Sequence, residues 1–185
     1  MVALETPVCE FDRPAEDFGL LGVDGKIWHL AEVVGENGLL VMFICNHCPY
    51  VKAVLDRIVR DTRQLRDEYG VNAVAIMSND PEYRSEDSFE NMQKIAKDYD
   101  FPFPYLLDQE QTVARRYGAV CTPDFFGYNR ELGLQYRGRL DASRKQAAEP
   151  GVRRDLFEAM VQVALTGRGP AQQIASMGCS IKWKE

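Results

Sequence analysis

The chain has 185 residues, 45% of them apolar, and its 22 Lys and Arg against 28 Asp and Glu leave a net charge of −6. That length supports one domain with a sizeable core, and an acidic chain without a basic block argues against nucleic acid or an anionic membrane surface as partner. No apolar run approaches the roughly 18 residues a bilayer span needs, and the first ten residues carry two acids and no Lys or Arg, so the reading predicts a cytoplasmic protein without a secretory signal.

Cys9 to Leu30 reads as mostly extended, with Asp24-Gly25 as a tight-turn signal between two short apolar runs and hence a hairpin. Gly35 to Gly38 is a second turn, and the apolar run Leu39 to Ile44 reads as a buried strand. After Cys45-Asn46-His47-Cys48, Pro49 opens a helical pattern in which Val51, Val54, Leu55, Ile58, Thr62 and Leu65 recur at three- and four-residue steps, closed by Gly70. Val71 to Met77 is a nearly continuous apolar strand, so strand, helix and strand imply a right-handed crossover and parallel pairing. Ser85 to Tyr99 reads as a helix with Phe89, Met92, Ile95 and Ala96 inward, Phe103 to Leu107 as a short strand, and Gln111 to Tyr117 as a short helix closed by Gly118. Phe125 to Tyr128 and Leu134 to Gly138 form an antiparallel hairpin, Ala142 to Gly151 is a polar excursion, and Asp155 to Leu165 is the last amphipathic helix. The tail beyond Gly167 has little periodicity, although Ile181 and Trp183 have apolar surface to bury. This order predicts an α/β fold, a central mixed sheet flanked by helices with an N-terminal hairpin extension. It forms one domain over 1–185, with a core of about 11–165 and a tail of 166–185.

The cysteines are Cys9, Cys45, Cys48, Cys121 and Cys179. Five is odd and only one pair is close in sequence, which is not the framework of a disulfide-stapled secreted domain. In a reducing compartment a lone CxxC is catalytic or metal-binding more often than a staple. Its context, between a strand and a helix, is that of a dithiol redox site. Pro49 suits the first helical position and makes Cys48 the cap residue, next to the positive end of the helix, where thiolate is favoured over thiol.

At Cys45–Cys48 and again at Thr122-Pro123 the chain resembles the thioredoxin-like superfamily, and within it the alkyl hydroperoxide reductase/thiol-specific antioxidant branch, the peroxiredoxin-like proteins. Pro14-Ala15-Glu16-Asp17-Phe18 through Asp24-Gly25-Lys26 to Leu30 is similar to that branch's entry hairpin. Phe43 lies five residues before Cys48, in the register of the reactive cysteine, and Thr122-Pro123 sits where the superfamily carries a cis-proline facing it. The resemblance covers about residues 11–140 and extends to the final helix. It departs from true peroxiredoxins in two places: Cys45 stands where they hold Thr or Ser, and no arginine is seen near Thr122-Pro123.

The resemblance implies a thiol–disulfide oxidoreductase with Cys48 as nucleophile and Cys45 as resolving thiol; thioredoxins attack with the first cysteine of the motif, which would exchange these roles. The nucleophile is expected to be the more exposed and the more acidic of the two. The backbone of Thr122 beside Pro123 is expected to be free to receive an extended thiol-bearing substrate. His47 is either an auxiliary imidazole beside the thiols or a solvent-facing side chain. Cys121 is either a third redox thiol or a small buried hydrophobe. Cys179 either folds back to resolve Cys48 or is a packed tail thiol, the latter being the expectation. Cys9 is read as structural, His29 as a surface or turn residue, and Arg139, Asp141 and Arg144 as solvated. No cofactor beyond the redox-active disulfide is expected. Partners would be protein or small-molecule disulfides and thiols, with a reductant such as thioredoxin or glutathione. The alternatives are a thiol-dependent peroxidase that takes peroxide at Cys48, and a copper-binding, chaperone-like module holding a soft metal through Cys45 and Cys48.

Overall fold

The computed structural model describes residues 2–184. In chain order its elements are β1 (Ala3–Glu5), β2 (Gly19–Gly22), β3 (Ile27–His29), α1 (Leu30–Val33), β4 (Gly38–Phe43), α2 (Pro49–Lys52), α3 (Leu55–Tyr69) and β5 (Val71–Met77). There follow α4 (Phe89–Asp98), β6 (Tyr105–Leu107), α5 (Thr112–Tyr117), β7 (Cys121–Thr122), β8 (Asp124–Tyr128), β9 (Leu134–Tyr136), α6 (Asp155–Thr166) and β10 (Met177–Ser180).

The main sheet runs β3-β2-β6-β5-β4-β8-β9. β5 is parallel to both β4 and β6, and the other pairs are antiparallel, so the sheet is mixed. β4 shows why its sequence is a continuous apolar run. Successive side chains alternate faces: Leu39, Val41 and Phe43 enter one core with residues of α1 and α5, while Leu40, Met42 and Ile44 enter the other with residues of α3, α4 and α6. Helices cover both faces, so neither tolerates a polar residue. Each of these fully buried side chains stabilises the fold by roughly 1.5–3 kcal/mol. The entry hairpin β2–β3 turns at Asp24-Gly25, where Gly25 takes φ +82°, and lies at the sheet edge.

Two readings from sequence change. The helix after Pro49 is two helices, broken at Ala53-Val54, where the Val54 amide donates back three residues to the Val51 carbonyl at 3.0 Å. Val51, Val54 and Leu55 stay buried across the break, so the apolar period runs through it unaltered. Arg139 and Asp141 are not solvated: Arg139 donates to Asp155 at 2.7 Å, and buried Asp141 accepts from Arg57 at 2.8 Å. These pairs tie the segment after β9 to α6 and α3.

The tail also folds. β10 lies between β1 and β7 in a second, three-stranded antiparallel sheet. Beyond it the Ile181 amide donates to the Val120 carbonyl, the Lys182 amide to Asn79, and Arg115 stacks over Trp183 at 4.3 Å.

Candidate active site

β4 ends at Phe43, and the chain turns through Cys45-Asn46-His47 to Cys48, which caps α2 with Pro49 in the first helical position. The Cys48 carbonyl accepts from the Val51 and Lys52 amides. α2 is a single turn, however, and the groups touching the Cys48 sulfur are the stronger cause of its acidity. Cys45 foremost, then Cys179 and Thr122, hydrogen-bond to it and, against the effect of burial, hold its pKa down to about 5. Cys45 behaves oppositely: burial, then its contact with Cys48 and the charge of Asp87, raise it well above the ordinary thiol value. Of the two thiols, Cys48 is therefore the more acidic and Cys45 the less.

The loop is held by Asp87. One carboxylate oxygen accepts from the Asn46 amide at 2.8 Å and the His47 amide at 3.1 Å; the other meets His47 Nδ1 at 2.5 Å and Asn79 Nδ2 at 3.0 Å. Burial would raise this carboxyl, but the hydrogen bonds from His47 and Asn79 bring it below its ordinary value. A carboxylate only accepts, so Nδ1 of His47 carries the proton. His47 is buried, not solvent-facing: its Nδ1 lies 3.7 Å from the Cys45 sulfur and its Nε2 has no hydrogen-bond partner among the described residues. Donor atoms of Cys45, His47 and Asp87 lie within 4.8 Å of one another; His47 Nδ1 is bound to Asp87, and among the described residues Nε2 is left without a partner. Nothing in the local sequence marks Asp87, and sequence reasoning missed it.

Thr122 and Pro123 come to the same place. The Thr122–Pro123 peptide is cis. The Thr122 hydroxyl lies 3.3 Å from Cys45 Sγ, and its carbonyl oxygen lies 3.2 Å from Cys48 Sγ. The backbone of Thr122 is not free. β10 is paired along it, with Cys179 directly opposite Thr122, and the Cys179 sulfur is 2.9 Å from that of Cys48. Cys179 is a packed thiol of the tail, as expected, and it packs against the Cys48 sulfur. Exposure does not separate the motif cysteines: Cys48 is 0% and Cys45 2% accessible. A mostly apolar cavity of about 260 Å³ reaches Cys45, between Leu55, Ile95, Tyr99, Phe101 and Tyr105.

Cys121 is buried with its sulfur 3.7 Å from the Pro123 carbonyl, and burial raises its pKa strongly. Cys9, half-buried, is raised to about 11 by burial. The structure does bring an arginine near Pro123. Arg137 is buried, donates to Asp124 at 3.0 Å and to the Gly118 carbonyl at 2.9 Å, and stacks on Phe126. Its guanidinium is committed to those partners and is not among the groups hydrogen-bonded to Cys48. Among the described residues no helix is long and apolar enough to cross a membrane.

Known proteins share the fold and the family of this chain. No curated protein matches the chain. An uncharacterized conserved protein from Geobacillus kaustophilus is similar at 44% identity and TM-score 0.92, with 100% of this chain and 97% of that one covered. A hypothetical protein from Sinorhizobium meliloti 1021 is similar at 36% identity and TM-score 0.86, with 97% of each chain covered. A thiol:disulfide interchange protein of the thioredoxin family from Chlorobium tepidum shares the fold at 19% identity and TM-score 0.61, covering 83% of this chain and 97% of that one. The family model described as AhpC/TSA matches residues 11–152; the fold is thioredoxin-like, and the chain belongs to the AhpC/TSA family.

Proposed function

We propose that the protein is a cytoplasmic thiol–disulfide oxidoreductase in which Cys48 is the nucleophile. The observation that carries this reading is the placement of the CxxC pair: Cys48 caps α2, Thr122 of the cis Thr122–Pro123 peptide touches both sulfurs, and Cys48 is the more acidic of the two. The Cys48 thiolate attacks one sulfur of a substrate disulfide. The substrate S–S bond breaks, one substrate thiolate leaves and takes a proton, and a mixed disulfide remains on Cys48. Loss of the Cys45 proton to solvent then lets Cys45 attack Cys48 Sγ. This releases the second substrate thiol and leaves a Cys45–Cys48 disulfide, the two electrons having passed to the substrate. An external thiol reductant such as thioredoxin or glutathione restores the dithiol. His47, held by Asp87 beside Cys45, positions the loop that carries both sulfurs. Arg137 donates to Asp124 and Gly118 and makes no hydrogen bond to Cys48, and Cys45 stands where peroxidases of this family hold Thr or Ser; both features favour disulfide over peroxide as the substrate in this reading.

The test measures reduction of glutathione disulfide and of an insulin disulfide alongside consumption of peroxide. Wild-type protein is expected to reduce disulfides and Cys48→Ser to fall to background. Disulfide turnover by Cys48→Ser equal to wild type would overturn the reading, and peroxide consumption at Cys48 without disulfide turnover would replace it with the peroxidase.

A further inference from the structure

The edge of Thr122 beside Pro123 suits an extended segment with a sulfur next to Cys48, and the chain's own tail lies there. β10 is antiparallel to β7 with Cys179 opposite Thr122 and Ser180 opposite Cys121. Its fit is specific. The Ser176 hydroxyl donates to the Pro123 carbonyl at 2.8 Å. Gly178 rests on the Thr122 carbonyl so closely that a Cβ there would lie 2.0 Å from the oxygen. On its other edge β10 is paired with β1, Ala3 opposite Cys179 and Glu5 opposite Met177. The two sulfurs, 131 positions apart in sequence, are 2.9 Å apart in space, inside the contact distance of two unbonded sulfurs. A disulfide needs closure to about 2.05 Å. Cys179 is 2% exposed.

We propose that Cys179 is a resolving thiol of this site, delivered to Cys48 by a C-terminal strand that occupies the substrate-pairing edge as an internal pseudosubstrate. The inference rests on the reading of Cys48 as nucleophile. With β10 seated, Cys48 is closed, so a disulfide substrate reaches it when the strand leaves β7. The Cys48 thiolate takes one half of the substrate as a mixed disulfide and expels the other half as a thiolate. When β10 re-seats, the Cys179 sulfur, its proton passed to solvent, attacks Cys48 Sγ. The Cys48–Cys179 bond forms as the bond from Cys48 to substrate breaks, and the second substrate thiolate leaves and takes up a proton. One substrate disulfide is reduced by two electrons, and Cys48 and Cys179 together are oxidised by two. Cys45 is then a competing resolver rather than the sole one.

The experiment treats reduced full-length protein with glutathione disulfide, quenches with acid, and maps disulfides by mass spectrometry of unreduced digests. It is run on wild type, Cys45→Ser, Cys179→Ser, the double Cys45→Ser/Cys179→Ser variant and Cys48→Ser. Wild type and Cys45→Ser are expected to give the Cys48–Cys179 peptide. Only the double variant should accumulate the Cys48–glutathione mixed disulfide, at least about tenfold more than Cys45→Ser. Gly178→Ala keeps every sulfur and unseats the strand. It should lower the yield of the Cys48–Cys179 bond and speed alkylation of Cys48 about tenfold, with circular dichroism showing that the fold remains. Equal mixed disulfide in Cys45→Ser and in the double variant overturns the role of Cys179 while leaving Cys48 as nucleophile. Unchanged disulfide turnover by Cys48→Ser overturns the reading beneath it.

Discussion

A cysteine with a pKa near 5 is almost wholly ionised at pH 7, and Cys48 owes this first to Cys45. Cys45→Ala removes that donor and leaves Cys179 and Thr122 in place. The Cys48 pKa then moves up towards the ordinary thiol value of about 8.5. The sign follows directly. In wild type the thiolate population is flat through neutrality and is lost as pH falls through about 5; in Cys45→Ala the loss begins at higher pH. Ultraviolet titration of the thiolate band checks this, and an acid limb unmoved by Cys45→Ala would show that the donors lie elsewhere. The cap position of Cys48 was legible in the sequence because it is local, a Cys-Pro step after a buried strand. Asp87 was not. It reaches the site from 40 positions away and acts by accepting from two backbone amides and two side chains, and one acid in a polar run carries no sign of such a role. The cap position alone was the expected source of the acidity of Cys48; the neighbours that lower its pKa are Cys45 of the same motif and, brought in by the fold, Cys179 and Thr122.

Elements long enough to show a period were readable, and those that depend on a distant partner were not. β4 and β5 declare themselves as continuous apolar runs, and α3 and α6 by helical spacing. β1 and β10 are three and four residues long, and Met177-Gly178-Cys179-Ser180 has no strand propensity of its own; it is a strand because β1 and β7 supply its hydrogen bonds. The excursion Ala142 to Gly151 forms no helix or strand, as its polarity implied. Arg137 illustrates the cost of a contact invisible in sequence. It follows β9 and holds Asp124 of β8 and the carbonyl of Gly118, fastening the hairpin to the end of α5. Arg137→Met keeps the bulk but leaves a buried carboxyl without its counter-charge. The expected loss is about 3–5 kcal/mol, read as a lower denaturant midpoint. Replacing Asp124 with Asn in the same chain should recover part of it. Loss of less than about 1 kcal/mol in Arg137→Met would mean that the pair behaves like an exposed one.

At the scale of the molecule, the two ends of the chain meet over the reactive sulfur, β1 and β10 together forming the second sheet with β7. This arrangement makes redox state and stability the same question. A Cys45–Cys48 disulfide closes a loop with two residues between its cysteines and restrains the unfolded chain little. A Cys48–Cys179 disulfide ties together positions 131 apart, and on the chain-entropy account such a loop is worth roughly 5 kcal/mol. For a chain of this size that corresponds to a rise of about 10–20 °C in melting temperature. Wild-type protein oxidised with glutathione disulfide should therefore melt well above its reduced form. Oxidised Cys179→Ser, limited to the short bridge, should melt within a few degrees of its own reduced state. Both comparisons use calorimetry without added thiol, on samples whose disulfides have been mapped. The direction of the first difference is the informative quantity, because strain in the native bridge would subtract from the gain and a short loop cannot supply it. A mapped Cys48–Cys179 bond with no gain in melting temperature would mean that β10 closes on Cys48 only by distorting β7, and that the strand seen seated in the reduced chain is not the conformation that resolves the mixed disulfide.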